Sequence, residues 1–251
     1  MTTICLTGST DGIGLSAARL LAADGHRVVV HARSEERGRP VADALGADLV
    51  TGDLSVLAEV RDLAEQLRAL GGVDVLAHNA GVWVRGDTPR VTADGFETTF
   101  AVNALAPHLL TSLLGPDLRE RLLFLGSGMA ASGRPKPTAL GGARDPRQAY
   151  ADSKAVDVAL ALAWARKRPD LVVAAVDPGW VKTKLASGGA PGEVEQGGDG
   201  LAFCCTADLG GTPYWKDREP TTVPGRLRDE GLQDSLVREL DRLAGLGVSA
   251  D

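Results

Sequence analysis

The chain contains 251 residues, a length that fits one large α/β domain or two small domains. Hydrophobic residues make up 44% and charged residues 24% of the sequence, an average globular mixture that excludes disordered and fibrous proteins. The formal net charge of −6 argues against proteins that bind nucleic acid or anionic membranes, since both need a basic surface.

The cysteines and the N-terminal residues indicate the compartment. Cys5, Cys204 and Cys205 lack the spacing of a disulfide framework or of a zinc site. The sequence does not begin like a signal peptide, and no stretch reaches the roughly 18 consecutive apolar residues that favour a membrane span. We therefore expect a cytoplasmic protein without a catalytic metal and without membrane or nucleic-acid partners.

Short apolar runs alternate with helical spacing of apolar residues along most of the chain. The predicted strands cover residues 4–6, 28–30, 48–50, 73–77, 122–125 and 171–176. The predicted helices cover 15–21, a segment ending at residue 45, 57–70, 95–114, 149–166 and 227–243. Apolar strands separated by helices predict an α/β fold with a doubly wound parallel sheet and helices on both faces.

Two long segments rich in glycine and proline, 128–149 and 180–200, are predicted loops. Long loops in a compact domain are commonly functional, so we expect these two to contact the substrate. No linker or internal repeat divides the sequence. We therefore predict a single domain over residues 1–251.

A glycine-rich segment, residues 7–14 with the sequence TGSTDGIG, joins the first predicted strand to the first helix. Glycines at such a turn let the backbone approach a pyrophosphate, whose charge then meets free N–H groups at the helix N-terminus. The GxxxGxG spacing differs from the GxGxxG of other dinucleotide-binding folds. Taken alone, it also fits an ordinary tight turn between strand and helix.

A tyrosine and a lysine, Tyr150 and Lys154, lie four residues apart on a predicted helix and so share one face. A phenol is a poor acid or base at neutral pH, but a nearby ammonium favours the phenolate and lowers the pKa of a tyrosine. A tyrosine adjusted in this way can donate a proton to a carbonyl oxygen as a hydride reaches the carbon.

With these motifs the chain resembles the short-chain dehydrogenases/reductases over nearly its whole length. The motifs that carry the resemblance occur in the family's order: the glycine loop at 7–14, Asp53-Leu54, Asn79-Ala80-Gly81, Asn103, Ser127, Tyr150 with Lys154, and Pro178-Gly179-x-Val181-x-Thr183. The resemblance implies a Rossmann-type sheet of about seven strands in the order 3-2-1-4-5-6-7. It also implies an oxidoreductase that interconverts a carbonyl and an alcohol with a nicotinamide cofactor.

The resemblance assigns roles to individual residues. The implied catalytic tetrad is Asn103, Ser127, Tyr150 and Lys154. Tyr150 is the general acid, Lys154 adjusts its pKa and binds the nicotinamide ribose, Ser127 positions the substrate oxygen, and Asn103 supports the helix and a proton-relay water. The implied cofactor-binding residues are Gly8, Ser9, Asp11, Gly12, Ile13, Gly14, Arg33, Asp53, Leu54, Asn79, Ala80, Gly81, Tyr150, Lys154, Pro178, Gly179, Val181 and Thr183.

The end of the second predicted strand bears on which nicotinamide is bound. An acidic residue there holds the ribose 2′-OH of NAD, whereas an arginine accommodates the 2′-phosphate of NADP. Arg33 therefore favours NADP, and His31 is a possible further donor. Arg37 is either a second cation for the phosphate or a residue of a solvated helix face. Asp11 is evidence against NADP, because some NADP-preferring relatives carry a basic residue at that position.

Several features leave alternatives open. His78 replaces the usual first asparagine of the Asn-Asn-Ala-Gly segment, and a structural role is the expected one. Trp83 and Trp180 either wall the nicotinamide or substrate pocket or pack within loops. The segment GTPYW at 211–215 is similar to the retinol-dehydrogenase-like branch, but the predicted loops do not identify a substrate.

A catalytically silent NADP-binding regulator of the same fold is the alternative function, although such a protein would be expected to lack Tyr150 or Lys154.

The resemblance also bears on assembly. Related enzymes often pair through the helices after the fourth and fifth strands, here residues 95–114 and 149–166. The second of these helices is rich in alanine, which fits either close packing between chains or burial within one chain. A homodimer or homotetramer is therefore the expected assembly, and a small carbonyl or alcohol compound is the expected substrate.

Overall fold

The computed structural model describes residues 1–86, 90–142, 145–186 and 189–247. Parts of both predicted substrate loops, residues 143–144 and 187–188, lie outside the described residues. Eight strands are present in the described part: β1 (Thr3–Leu6), β2 (Arg27–Ala32), β3 (Asp48–Thr51), β4 (Val75–His78), β5 (Arg121–Leu125), β6 (Val172–Asp177), β7 (Tyr214–Lys216) and β8 (Glu219–Pro220).

The helices lie between these strands in the sequence. They are α1 (Gly12–Ala23), α2 (Glu35–Leu45), α3 (Leu57–Ala69), α4 (Thr98–Phe100), α5 (Ala106–Leu114), α6 (Pro146–Lys167), α7 (Val194–Thr206) and α8 (Glu230–Leu243). A π-helical turn, Ala101–Leu105, joins α4 to α5 into one helical run. This run begins at Thr98 rather than at the predicted residue 95, where Gly95 has a φ of +87°.

The eight strands form one sheet in the order β3-β2-β1-β4-β5-β6-β7-β8. The predicted order 3-2-1-4-5-6-7 is therefore confirmed, and these seven strands are parallel. The eighth strand pairs antiparallel with β7 at the edge. Because the chain reverses its direction across the sheet after β3, the carboxyl ends of β1 and β4 flank a crevice suited to ligands.

Side chains alternate between the two faces of the sheet and form two apolar layers. Ile4 and Leu6 of β1 pack on one face with residues of α1 and α7. Cys5 of the same strand points to the opposite face, where α3, α5, α6 and α8 contribute the apolar side chains. Burial on both faces explains why the strands read as nearly continuous apolar runs.

The helix α7 was missed in the sequence because it lies partly within the predicted loop 180–200. That prediction is wrong for residues 194–200, which are helical. Gly197, Gly198 and Gly200 are poor helix formers, each costing about 1 kcal/mol relative to alanine. Their absent side chains allow α7 to approach α1 closely: a Cβ at Gly198 would lie 2.2 Å from Oγ of Ser16 and 3.0 Å from the backbone nitrogen of Ala17.

We expect Gly198→Ala to destabilise the protein, because the added methyl group overpacks the contact between α1 and α7. Overpacking costs about 1–3 kcal/mol, which exceeds the gain of about 1 kcal/mol from replacing a helical glycine. The matched control is Gly200→Ala on the same helix, where a Cβ would meet nothing within 4 Å. Thermal unfolding should show a lower midpoint for Gly198→Ala and an equal or higher one for Gly200→Ala. Equal midpoints for the two variants would contradict the close contact.

The C-terminal helix α8 packs against α5 and α6, the helices suggested for pairing between chains. His108 of α5 hydrogen-bonds Asp241 of α8 at 2.8 Å, and Arg166 of α6 contacts Asp234 at 2.5 Å. The alanines of α6, including Ala159 and Ala163, are buried within this chain, except for Ala165, which is partly buried against the same core. Burial inside one chain therefore explains the alanine content, and pairing remains a prediction.

Candidate active site

A cleft with a volume of about 1670 Å³ runs along the carboxyl ends of the strands. Segments after β1 to β6 line it together with one side of α6. All of the predicted site residues line this cleft except Ser9 and Asn103. The structure thus brings together residues that are up to 175 positions apart in the sequence, such as Gly8 and Thr183.

The glycine loop between β1 and α1 is bonded to the segment after β4. Gly8 has a φ of +66°, a conformation that favours glycine. The amide Nδ2 of Asn79 donates to the backbone oxygens of Thr7 and Gly8 at 2.8 and 3.2 Å. A Cβ at Gly14 would lie 2.3 Å from this amide nitrogen, so Gly14 leaves the space that Asn79 occupies. Asn79 therefore holds the loop in shape.

Ser9 and His31 hold the glycine loop in place, and Ser9, a predicted cofactor-binding residue, does not line the cleft. Ser9 is fully buried, and its Oγ accepts a hydrogen bond from the backbone N–H of His31. The His31 ring accepts from Gly8 N–H at 2.9 Å and donates to the Gly52 carbonyl at 3.0 Å. Burial lowers the pKa of His31 to about 4, so the ring is neutral. Its ring N–H is already engaged by Gly52, which corrects the suggestion that His31 is a further donor.

The Tyr150–Lys154 pair lies on α6 at the floor of the cleft. Both residues are buried, with exposed fractions of 7% and 3%. The Lys154 ammonium lies 6.0 Å from the centre of the Tyr150 ring and donates to the Leu125 carbonyl at 2.7 Å. It also donates to Asp157 at 2.9 Å, a carboxylate that our sequence analysis missed. The spacing of three helical residues between Lys154 and Asp157 was the signal that could have identified it.

Ser127 lies two residues after β5 and lines the cleft. Its Oγ accepts a hydrogen bond from the Met129 backbone N–H at 3.2 Å, which fixes the side chain at the start of a short 3₁₀ turn, Gly128–Ala131. The hydroxyl hydrogen is left as a donor, because an accepting oxygen does not use it. Ser127 can therefore donate a hydrogen bond to a ligand oxygen in the cleft.

Asn103 lies in the π-helical turn behind the cleft wall and is 1% exposed. Its Oδ1 accepts from the Val82 backbone N–H at 2.8 Å, and its Nδ2 donates to the Val82 carbonyl and to Ser153 Oγ. These bonds connect the segment after β4 to α6. Asn103 thus supports the wall of the site and does not line the cleft.

Two tryptophans line the cleft, as one of the open alternatives suggested. The Trp83 ring stacks on Tyr150, with the ring centres 4.7 Å apart and an interplanar angle of 11°. The Arg85 guanidinium lies over the Trp83 ring at 4.2 Å and donates to the Leu185 carbonyl at 2.9 Å. Trp180 is 61% exposed, a large apolar surface within the cleft. Trp83 therefore shields one face of Tyr150 from water.

His78 has the structural role that the sequence led us to expect. It is 4% exposed, stacks on Phe124 and hydrogen-bonds Thr111 at 2.7 Å. Burial lowers its pKa to about 3, so the ring is neutral. It does not line the cleft.

The charges around the cleft are mostly basic, although the chain as a whole is acidic. Arg33 and Arg37 are exposed and have no salt-bridge partner among the described residues. Asp11 caps the N-terminus of α1 and forms a salt bridge with Lys184 of the segment after β6. The hydrogen bond from Lys184 lowers the pKa of Asp11, so this carboxylate is ionised and paired.

Two absences concern only the part of the chain that the structure describes. No group of three or more His, Cys, Asp or Glu side chains has an arrangement that could hold a metal ion there. Among the same residues, no helix combines the length and apolarity needed to cross a bilayer.

Comparison with known proteins identifies the family. A family model described as short chain dehydrogenase matches residues 2–192. The chain belongs to the short-chain dehydrogenase family. The resemblance seen in the motifs is thereby confirmed, and this short-chain dehydrogenase has the sheet order that the family resemblance implied.

Three similar proteins give further comparisons with this short-chain dehydrogenase. A polyprenol dehydrogenase of Mus musculus is 35% identical, covering 96% of this chain and 83% of that protein. A putative daunorubicin C-13 ketoreductase of a Streptomyces species is 34% identical, covering 93% and 89%. Among solved structures, a blue fluorescent protein from a metagenomic library in complex with NADPH has a TM-score of 0.70 and 27% identity, covering 86% and 95%.

Proposed function

We propose that the protein is an NADPH-preferring reductase that converts a carbonyl compound to an alcohol, and the reverse, with Tyr150 as general acid and base. The observation that carries this proposal is the buried Lys154 ammonium beside Tyr150 in a cleft that Ser127 also lines. A phenol, an ammonium and a hydroxyl at one end of a cleft form a donor set suited to a carbonyl oxygen.

Proton transfer is assigned to Tyr150. Its hydroxyl donates a proton to the substrate oxygen during reduction and accepts it back during oxidation. The Lys154 ammonium stabilises the phenolate that remains after the proton has left. Stacking on Trp83 limits the access of water to the Tyr150 ring. Because water screens charges, its exclusion strengthens the attraction between the Lys154 ammonium and the phenolate.

Substrate positioning is assigned to Ser127. Its Oγ already accepts from Met129 N–H, so its hydroxyl hydrogen can donate to the substrate oxygen without a change of position. Asn103 acts at a distance from the chemistry, by bonding the Val82 segment to α6 behind Trp83.

The cleft fits a dinucleotide cofactor by its shape and its charge. At Gly8 and Gly12 the backbone has positive φ, a conformation that glycine adopts without strain. The N-terminus of α1 lines the cleft directly after this turn, and helix N-termini favour anionic groups such as a pyrophosphate. Lys154, Asn79 and the segment from Pro178 to Thr183 lie where the nicotinamide half would be held under this assignment. A nicotinamide cofactor bound there supplies or accepts the hydride, which the side chains of the protein cannot do.

The preference for NADPH is assigned to Arg33 at the end of β2. The arginine is exposed in the cleft and free of carboxylate partners among the described residues, so it can bind a 2′-phosphate. Arg37 also lines the cleft and provides a second cation. The pairing of Asp11 with Lys184 reduces the repulsion that Asp11 would exert on a phosphate. The NADPH complex of a structural relative supports the same choice.

The substrate class that fits best is an apolar ketone, aldehyde or alcohol. Trp83, Trp180 and Met129 provide apolar surface at the catalytic end of the cleft. The names of two relatives, a ketoreductase and a polyprenol dehydrogenase, describe reactions of this type.

Fluorescence titration with NADPH and with NADH tests the proposal directly. We expect saturable binding of both, with NADPH tighter, followed by consumption of NADPH when apolar ketones or aldehydes are added. Binding of neither cofactor would contradict the proposal. Binding of NADPH without consumption by any carbonyl compound would favour the silent regulator instead.

A further inference from the structure

The ion pair between Lys154 and Asp157 is the most deeply buried pair of opposite charges among the described residues. The side chains are 4% and 3% exposed, and Nζ lies 2.9 Å from Oδ2. Taking two charges out of water is unfavourable, so a buried pair is a weak source of stability. Its location beside Tyr150 suggests a role in the chemistry instead.

We propose that Asp157 is a positioning residue for the reaction, which keeps the Lys154 ammonium charged and holds it in place beside Tyr150. The inference rests on the proposed function, in which Lys154 stabilises the Tyr150 phenolate. Asp157 itself does not line the cleft, so it acts through Lys154.

The hydrogen bonds of Lys154 support this role. An ammonium has three N–H donors, and two of them are used by the Leu125 carbonyl and by Asp157. One N–H therefore remains for a ligand or a water. A Cβ at Gly81 would lie 3.6 Å from Nζ, so the lysine faces the segment after β4 that lines the cleft. Lys154 itself lines the cleft, so a ligand there can accept from the third donor.

The charges near Lys154 determine the direction in which the pKa of its ammonium group is shifted. Burial by itself lowers the pKa of Lys154, but the Asp157 carboxylate and Tyr150 outweigh it and the pKa lies above its ordinary value. Burial raises the pKa of Asp157 to about 7, and Lys154 opposes that rise. Asp157 is therefore ionised in the alkaline range, where Lys154 would otherwise lose its proton.

Other titratable groups near this part of the sheet do not replace Asp157. His78 on β4 is neutral because burial lowers its pKa to about 3. Asp177 of β6 and Tyr214 of β7 interact with each other rather than with Lys154. On the segment after β4, the Arg85 cation is stacked on Trp83. Asp157 is thus the carboxylate that balances the Lys154 charge.

The first test follows the Lys154 side chain by NMR in protein labelled at lysine, with Lys154→Met used for assignment. It needs no substrate, so it remains decisive if the protein has no reductase activity. We expect Asp157→Asn to shift the Lys154 titration to lower pH by about one unit or more, and Asp157→Glu to keep it near the wild-type position. The charge control is Asp152→Asn, at another buried residue of α6, whose Oδ1 accepts from the Arg134 backbone N–H and from Gln148 Nε2. An unchanged Lys154 titration in Asp157→Asn would overturn the proposal.

The second test measures the pH dependence of kcat/KM for carbonyl reduction. Loss of the Asp157 charge makes the Lys154 proton easier to remove, and the proposed reaction needs that ammonium beside Tyr150. We expect the alkaline limb of the profile to move to lower pH by about one unit in Asp157→Asn, with a smaller change near neutrality. If that variant is too unstable to purify, Asp157→Ser removes the same charge with a smaller side chain. An alkaline limb that stays in place, together with lower thermal stability, would show a purely structural role and overturn the proposal.

Discussion

Replacing Tyr150 by phenylalanine is expected to lower the rate of carbonyl reduction by about 10²–10⁴-fold, the range typical for loss of a general acid. Phenylalanine keeps the ring that stacks on Trp83 and removes only the hydroxyl. The fold and the cleft are therefore expected to remain, and the affinity for NADPH should stay within a few fold of the wild-type value. Single-turnover rates and fluorescence titration measure the two quantities separately.

The matched control for Tyr150→Phe is Tyr214→Phe, because the chain contains only two tyrosines. The Tyr214 hydroxyl donates to the Ser127 carbonyl at 3.3 Å, but the residue does not line the cleft. We expect this variant to retain most of the rate. A Tyr150→Phe enzyme as active as the Tyr214→Phe enzyme would refute the assignment of the proton donor.

Replacing Arg33 by alanine is expected to weaken NADPH binding by about 10–100-fold while changing NADH binding little. The magnitude follows from charge-assisted hydrogen bonds, which are worth about 1.5–3 kcal/mol, and from the tenfold change in affinity for each 1.4 kcal/mol. Only NADPH carries the 2′-phosphate, so only its affinity depends on this arginine. Titrations of both cofactors at low and high salt measure the effect, which should shrink as salt screens the charge.

The control for this experiment is Arg39→Ala, which removes the same charge from α2. Arg39 bonds Glu35 at 2.9 Å and does not line the cleft. Both affinities should remain at the wild-type level. Equal losses for NADPH and NADH in Arg33→Ala would mean that Arg33 supports the fold of the loop rather than a phosphate.

Much of the site could be predicted because its signals are local in the sequence. Each of these signals depends on a few neighbouring positions. They are a glycine loop between a strand and a helix, polar residues after strands, and Tyr150 four residues before Lys154. Parallel strands then bring their carboxyl ends to one edge, so residues after separate strands meet without any long-range information.

The direction of individual side chains could not be predicted in the same way. Ser9 belongs to the glycine motif, but its hydroxyl points into the protein and bonds His31. Asn103 belongs to the implied tetrad, but its amide bonds Val82 and Ser153 behind the cleft. Both outcomes depend on partners more than 20 positions away in the sequence.

Some elements also depend on packing partners that no local pattern contains. The helix α7 is rich in glycine and is a poor helix by propensity, yet it forms because Gly197 and Gly198 let it pack closely on α1. The short strand β7 forms by pairing with β6, from Ala175 opposite Tyr214 to Asp177 opposite Lys216. Burial against a neighbouring element outweighs intrinsic propensity in both cases.

The sequence by itself determined the α/β class, the order of the strands through its family motifs, and many of the residues that line the cleft. These properties depend on periodicity and on short motifs, which neighbouring residues encode. Only the tertiary structure decided that Trp83 stacks on Tyr150, that Lys184 pairs with Asp11, and that Asp157 is the partner of Lys154 in a buried site. Such contacts depend on the distances and burial that arise when separate elements pack, and packing is a property of the whole chain.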